Sequence, residues 1–131
     1  MPATGNVLLD TTIVIAHFRN DPALDSKLAQ AATLYLPWAV LGELYYGAYK
    51  SDHRAKTLRQ VRIFLNAVVL LTPSEITAEL YGQIKSTLAV AGTPIPENDI
   101  WIAALAREHR LPLATRDDHF TIVTGLTVLK W

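Results

Sequence analysis

Short apolar runs alternate with helix-forming segments along this chain of 131 residues, and the alternation strongly constrains its fold. Five such runs are predicted strands, at residues 7–9, 34–36, 68–71, 111–114 and 128–129. Strands that alternate with helices indicate a parallel sheet covered on both faces. No linker or repeat divides the sequence. We therefore expect one domain over residues 1–131, an α/β/α sandwich of three layers around a twisted, mostly parallel sheet of four to five strands.

Six helices are predicted between these strands. They cover residues 12–19, 22–32, 38–50, 53–66, 74–92 and 98–109. Ser74 is a suitable N-terminal cap for the fifth helix, and Gly92 is a suitable end. The first helix competes with a strand, because residues 11–15 are all β-branched.

The composition excludes several classes of protein. Half of the residues are hydrophobic, which excludes a disordered chain. The absence of cysteine excludes a disulfide framework, a thiolate metal site and a cysteine nucleophile. No apolar run reaches membrane-spanning length, and Met1 to Asn6 carries no cationic segment before the first apolar run. We therefore expect a soluble, cytoplasmic protein without a membrane contact.

The formal net charge is zero, with 12 basic and 12 acidic residues, which speaks weakly against a nucleic-acid-binding protein. The distribution of the charges is uneven. Five basic residues fall within one short stretch, namely Lys50, Arg54, Lys56, Arg59 and Arg62. This stretch is either a surface that faces phosphate or the solvated face of a helix.

Four acidic residues fall at corresponding places along the predicted elements. Asp10 and Asp117 each follow a strand, Asp99 opens a helix, and Glu43 lies in the first half of the helix after the second strand. With right-handed crossovers, strand ends and the starts of the following helices share one edge of the sheet. Taken singly, each acid has an ordinary structural explanation as a cap, a turn residue or a surface residue. Those explanations do not account for all four lying at one edge.

Four gathered carboxylates would raise one another's pKa unless a cation neutralised them. A ligand set made of oxygen suits Mg²⁺ or Mn²⁺ rather than zinc. Such a site can hold a phosphodiester oxygen and activate a water for in-line attack. The sequence therefore predicts metal-assisted hydrolysis of a phosphodiester.

Each of the four acids lies within a short motif. The motifs are Leu8–Thr12 (LLDTT), Gly42–Ala48 (GELYYGA), Asn98–Ala104 (NDIWIAA) and Leu113–Asp117 (LATRD) followed by Phe120. In these motifs, and in its ending Leu126–Trp131, the chain resembles PIN-domain ribonucleases, specifically the VapC-type toxins of bacterial and archaeal toxin–antitoxin pairs. The resemblance covers nearly the whole chain.

The resemblance implies an Mg²⁺-dependent endoribonuclease, with Mn²⁺ as an alternative ion. It also implies a cognate VapB-like antitoxin that blocks the site, and a homodimer. Carried over residue by residue, it assigns catalysis and metal binding to four acids, Asp10, Glu43, Asp99 and Asp117. It further implies that Thr11 or Thr12 orients the first acid, and that Thr115 supports the metal or a phosphate.

The chain departs from the family pattern at Ala39, where a Ser or Thr is common one turn before the glutamate. A hydrogen bond near Glu43 is therefore in question. Asp117 and Asp118 both follow the fourth strand, and we favour Asp117 as the one that faces the metal because of its spacing from Thr115.

Further side chains are candidates for binding. Contacts with the RNA backbone are predicted for five basic residues, Lys50, Arg54, Arg59, Arg62 and Arg116. An aromatic group forms either a partner or dimer surface or the boundary of the core, namely Trp38, Tyr45, Tyr46 and Tyr49. The four histidines lack the spacing of a metal site, and among them His119 lies next to the acidic edge.

Three other functions compete with a nuclease. A phosphatase with an aspartyl intermediate needs a second Asp two residues after the nucleophile, where this chain has Thr12. A receiver-like signalling domain needs an Asp at the end of the third strand, where this chain has Thr72. A PIN-like module that is catalytically weak and only binds a partner would have no need to retain all four acids.

Overall fold

The structure is a computed structural model that describes residues 5–131. Residues 1–4 lie outside the described residues. They belong to the segment, Met1 to Asn6, on which the expectation of a cytoplasmic protein was based. The described elements, in chain order, are β1 (Gly5–Leu9), α1 (Thr11–Phe18), α2 (Pro22–Gln30), β2 (Ala31–Pro37), α3 (Trp38–Tyr49), α4 (Arg54–Leu65), β3 (Val69–Leu71), α5 (Glu75–Val90), α6 (Glu97–His109), β4 (Leu113–Thr115), a short 3₁₀ helix (Asp118–Ile122) and β5 (Val128–Lys130).

The five strands form one sheet in the order β3-β2-β1-β4-β5, and every neighbouring pair is parallel. The prediction of a mostly parallel sheet is thus confirmed. From β1 the chain first builds outward through β2 and β3, and then returns to place β4 and β5 on the other side of β1. The direction of the strand order therefore reverses between β1 and β4, which is where ligands bind in open α/β sheets.

The core lies around the two central strands. In β1 the side chains of Val7, Leu8 and Leu9 are fully buried, and so are Leu113 and Ala114 in β4. Successive residues of a strand point to opposite faces, so both faces of the sheet are covered here. This burial confirms the α/β/α layers.

The helix α1 forms although five β-branched residues begin it. Ile13 and Val14 are fully buried on the inner side of α1. Burial of a Val or Ile side chain stabilises by roughly 1.5–3 kcal/mol, whereas helix propensities differ by about 0.7 kcal/mol or less among ordinary residues. Tertiary burial therefore outweighs the local preference for a strand.

The cap predicted at Ser74 is confirmed. The Ser74 hydroxyl accepts a hydrogen bond from the N–H of Thr77, and the Thr77 hydroxyl accepts one from the N–H of Ser74 at 2.8 Å. Thr77 is buried, and its hydroxyl also donates to Glu108 of α6. The start of α5 is thereby joined to the helix that carries Asp99.

Several predicted boundaries were wrong, at both ends of the second and fourth strands and at the end of the second helix. The second helix ends at Gln30 rather than near residue 32, because Ala31 already pairs with Gly5 of β1 and the strand β2 continues to Pro37. Alanine favours helices, so only the pairing with β1 reveals this boundary. The fourth strand includes Thr115, which the sequence had assigned to the following turn.

Within residues 5–131, every helix is too short or too polar to cross a membrane.

Candidate metal centre

The site lies at the carboxyl ends of β1 and β4, at the reversal of the strand order. Asp10 directly follows β1, and its N–H donates to the carbonyl of Ala114 at 3.0 Å. Asp117 lies two residues beyond the end of β4. The topology thus brings together two acids that are more than a hundred residues apart in the chain.

Asp10 is buried, with 3% of its surface exposed, and is held by hydroxyl groups. Its Oδ2 accepts hydrogen bonds from Thr115 Oγ1 at 2.7 Å and from Thr12 Oγ1 at 2.9 Å. Although Asp10 occupies the N-cap position of α1, its side chain does not cap that helix in the described structure. The carboxylate is instead turned into the site, with one oxygen fixed by two hydroxyls.

Burial raises the pKa of Asp10, and the charge of the neighbouring Asp117 raises it further. Hydrogen bonds from Thr115, Thr12 and the backbone of Thr11 act in the opposite direction. Desolvation disfavours the ionised form, so a nearby cation would stabilise it. Asp10 is therefore suited to bind a positive ion.

Thr115 joins the first acid to the last. It is fully buried, and its hydroxyl accepts a hydrogen bond from the N–H of Asp117 at 2.9 Å while donating to Asp10. From the sequence, Thr115 was expected to support a metal or a phosphate. In the structure its hydroxyl supports the carboxylate of Asp10 and the backbone of Asp117.

The adjacent acids Asp117 and Asp118 point in different directions. Asp117 Oδ1 lies 3.1 Å from Nδ1 of His119, at the acidic cluster. Asp118 is almost fully exposed and pairs with Lys130 at 2.5 Å. The arrangement agrees with the preference for Asp117 as the acid that faces the site.

Asp99 lies in the first turn of α6, and its Oδ2 is 3.0 Å from Nδ1 of His119. Burial raises the pKa of Asp99 to about 6, and the charges of Asp10 and Asp117 add to this effect, whereas His119 opposes it. The influence of both acids on Asp99 shows that the three carboxylates are electrostatic neighbours. The sequence predicted such repulsion among all four acids, and these three account for the effects seen.

Glu43, on α3, reaches the same edge through two hydrogen bonds. Thr11 Oγ1 donates to its Oε2 at 2.6 Å, and Asn98 Nδ2 donates to its Oε1 at 2.9 Å. Thr11 directly follows Asp10 in the sequence, and Asn98 directly precedes Asp99. Glu43 is therefore linked to both acids through hydrogen bonds to their neighbours. Of the two threonines expected to orient Asp10, Thr12 donates to its carboxylate, whereas the hydroxyl of Thr11 binds Glu43. Thr11 and Asn98 supply the support that Ala39 cannot.

Basic side chains line two clefts beside the acids. Glu43 and Lys50 line a cleft of about 470 Å³ between α1, α3 and α4, and Thr12 and Arg116 line a second one. Arg19, at the end of α1, lines both clefts. The sequence reasoning missed Arg19, because it stands alone and outside the basic stretch.

Arg116 is paired with an acid in its cleft, and, apart from Lys50, the other predicted cations do not line either cleft. The guanidinium of Arg116 pairs with Asp21 at 2.8 Å, and that of Arg54 donates to the carbonyl of Tyr49. Arg59 and Arg62 are exposed on α4, two positions after the cleft-lining residues Thr57 and Gln60. Residues two apart in a helix lie on different faces. The structure therefore does not bring Arg59 and Arg62 to the cleft.

Two further residues at the site were not assigned a role by sequence reasoning, Asn98 and His119. Each adjoins or nearly adjoins a predicted acid, which was the only signal available. Asp99, Asp117 and His119 each offer one ligand atom, and these atoms lie within 4.8 Å of one another. The donor set as a whole is rich in carboxylate oxygen, which fits a hard divalent cation.

One family model, that of the PIN domain, matches residues 7–126. Ribonuclease VapC2 of Haemophilus influenzae is 34% identical over 127 residues, which cover 95% of this chain and 96% of that protein. The tRNA(fMet)-specific endonuclease VapC of Shigella flexneri is 31% identical over 127 residues, with coverage of 95% and 96%.

Solved structures show the same likeness. VapBC-1 from nontypeable Haemophilus influenzae has a TM-score of 0.87 and 28% identity, and the match covers 96% of this chain and 98% of that one. VapBC-5 from Mycobacterium tuberculosis, a member of the VapBC family of toxin–antitoxin systems, has a TM-score of 0.78 and 26% identity, with coverage of 96% and 98%.

Proposed function

The chain belongs to the PIN domain family and groups with its VapC ribonucleases, and we propose that it is the endoribonuclease toxin of a toxin–antitoxin pair. One observation carries the proposal. Three carboxylates from separate segments, Asp10, Asp99 and Asp117, interact at the strand-order reversal, and Glu43 is hydrogen-bonded to residues adjacent to two of them. Such a site suits phosphodiester hydrolysis with a divalent cation.

The residues that would hold Mg²⁺, or Mn²⁺ in its place, are Asp10, Glu43, Asp99 and Asp117. When bound, the ion would act as a Lewis acid that lowers the pKa of a water and offsets negative charge on the phosphate. Thr12 and Thr115 orient Asp10, and Thr11 and Asn98 orient Glu43, so the oxygens need little rearrangement. Such fixed geometry favours catalysis. Water adds to phosphorus and the 3′-oxygen leaves, which yields 5′-phosphate and 3′-hydroxyl ends.

The RNA backbone would cross the two clefts that flank α1. Lys50 and Arg19 supply positive charge along this path, whereas Arg116 lines the second cleft with its guanidinium paired to Asp21. Phosphate contacts position a nucleic acid without reading its sequence. The relative from Shigella flexneri is named for cleavage of a tRNA, so transfer RNA is the first substrate to examine.

A VapB-like antitoxin is the expected protein partner, as in the solved toxin–antitoxin relative. We also propose a homodimer, for which the exposed rings of Tyr46 and Tyr49 offer contact surface. Trp38 has an internal role instead, since its ring packs edge-on against Trp101 at 5.6 Å. A toxin that cleaves cellular RNA acts in the cytoplasm, which is where we expect this protein.

The competing functions lose support at particular residues. Thr12 stands where an aspartyl phosphatase needs its second acid, and its hydroxyl donates to Asp10. A module that only binds a partner would not require a buried Asp10 held by two hydroxyls beside Asp99 and Asp117.

The first experiment compares cleavage of transfer RNA by the wild type and by Asp10→Asn, Asp99→Asn and Asp118→Asn. The ends of the products are mapped with Mg²⁺ and with EDTA. We expect cleavage by the wild type only with the metal, and a loss of at least 100-fold in Asp10→Asn and Asp99→Asn. Asp118→Asn is the matched control, because its carboxylate points away from the site, and it should cleave normally.

Full activity in both Asp10→Asn and Asp99→Asn would refute the proposal. Circular dichroism spectra establish that each variant is folded. Because amide and carboxylate have nearly the same shape, both variants should remain folded.

A further inference from the structure

We propose that His119 is a nitrogen ligand of the same cation, and that it makes the site prefer Mn²⁺ to Mg²⁺. The inference rests on the proposed function, because it needs a cation among the four acids. It adds to that function a ligand and an ion preference.

The position of the imidazole supports this role. His119 Nδ1 lies 3.0 Å from Asp99 Oδ2 and 3.1 Å from Asp117 Oδ1. Adjacent ligands of an octahedral ion, bound at about 2.1 Å, are about 3 Å apart. The nitrogen therefore already has, to each of the two oxygens, the spacing of a neighbouring ligand on one ion.

The backbone of His119 is fixed on both sides. Its N–H donates to Asp117 Oδ1 at 2.9 Å, which begins the 3₁₀ helix, and the next residue, Phe120, is fully buried. The imidazole itself is half exposed, at the mouth of the site. This arrangement holds the ring at the acids while keeping it in contact with solvent.

The chemistry of the donor set gives the preference. Mg²⁺ is a hard ion that keeps oxygen ligands and waters, whereas Mn²⁺ shares the preference for carboxylates but, as a first-row transition ion, accepts an imidazole nitrogen more readily than Mg²⁺ does. A site of carboxylates alone would bind the two ions through the same atoms. One added nitrogen strengthens the binding of Mn²⁺ and does little for Mg²⁺.

Pulsed electron paramagnetic resonance tests ligation directly. The whole protein is prepared with ¹⁵N in its histidine rings and loaded with Mn²⁺. We expect the hyperfine coupling of one directly bound ¹⁵N in the wild type and its loss in His119→Gln, with Mn²⁺ still bound. His53→Gln is the matched control, since His53 is an exposed histidine that precedes α4, and it should keep the coupling.

Calorimetric titrations of both ions measure the preference. His119→Gln should lower the affinity for Mn²⁺ at least 10-fold and change that for Mg²⁺ less than threefold. Bound Mn²⁺ without coupling to a histidine nitrogen would overturn the inference and leave the proposed function intact. Equal losses for both ions would also overturn it, because they would show that His119 only positions the acids. Failure of the wild type to bind either ion would refute the proposed function as well.

Discussion

At the scale of single residues, the site contains carboxylates whose ionised form is disfavoured by burial. Asp10 and Asp99 both have raised pKa values, chiefly because they are buried, and other acids at the site raise them further. Without a cation, this arrangement lowers the stability of the fold at neutral pH. Polar groups that are costly to bury and gathered at a strand-order reversal indicate function rather than support of the fold.

Replacement of Asp99 by Asn should stabilise the metal-free protein. The folded pKa of about 6 exceeds the reference value of 3.8, so the folded state keeps a proton that the unfolded state releases as the pH rises through this window. The free energy of unfolding of the wild type therefore falls between about pH 4 and pH 6, and the loss is complete above pH 6. Asn removes this penalty, which is on the order of 3 kcal/mol at pH 7.5.

Urea denaturation in EDTA at pH 4.5, 6.0 and 7.5 measures this effect. The free energy of unfolding of Asp99→Asn should increase relative to that of the wild type as the pH rises. Added Mg²⁺ should stabilise the wild type but not the variant. Asp118→Asn is the control, because its exposed carboxylate pairs only with Lys130 at the surface. A variant Asp99→Asn that is less stable than the wild type at pH 7.5 would contradict the assignment of Asp99.

At the scale of elements, the short helix α1 organises both sides of the site. Its first residues, Thr11 and Thr12, bind Glu43 and Asp10 respectively. The residue after its last turn, Arg19, lies between the two clefts and lines both. One helix of eight residues therefore connects the acids with the path proposed for RNA.

Arg19→Ala should weaken the binding of RNA, and Arg59→Ala should not. Both replace an exposed arginine, but Arg59 lies on a face of α4 away from the cleft. Loss of one phosphate contact lowers the dependence of log affinity on log salt by about one unit. The measurement is the affinity of catalytically inactive Asp10→Asn protein for transfer RNA at several salt concentrations, with and without each substitution.

We expect a loss of affinity of about fivefold to tenfold for Arg19→Ala near physiological salt. Equal effects of the two substitutions would show that the positive charge acts at long range, and that the clefts do not form the path of the RNA.

At the scale of the whole molecule, the parallel sheet was predictable from the sequence, and so was the position of Asp10 and Asp117 just after strands of that sheet. Continuous apolar runs such as Val7–Leu9 report burial on both faces of a sheet, and the acids follow from the edge that parallel strands share. The strand order was not predictable, because it depends on pairings such as that of β1 with β4. The boundary at Ala31 was predicted wrongly for the same reason, because it depends on the pairing of Ala31 with Gly5 of β1.

The side chains that hydrogen-bond to the acids were also not predictable from the sequence. The hydrogen bonds from Thr11 and Asn98 to Glu43 join residues that are 32 and 55 positions apart. The contact of His119 with Asp99 depends on the docking of the 3₁₀ helix against α6. Side-chain contacts between distant segments arise only once the fold has formed.

The central claim is that the four carboxylates form one cation site. Glu43 tests it most directly, because it is linked to the other acids only indirectly, through hydrogen bonds to Thr11 and Asn98. Calorimetric titration of Mg²⁺ into the wild type, Glu43→Gln and Asp118→Asn measures this. We predict that Glu43→Gln lowers the affinity at least 10-fold and that Asp118→Asn binds like the wild type. Equal affinities of Glu43→Gln and the wild type would contradict the claim.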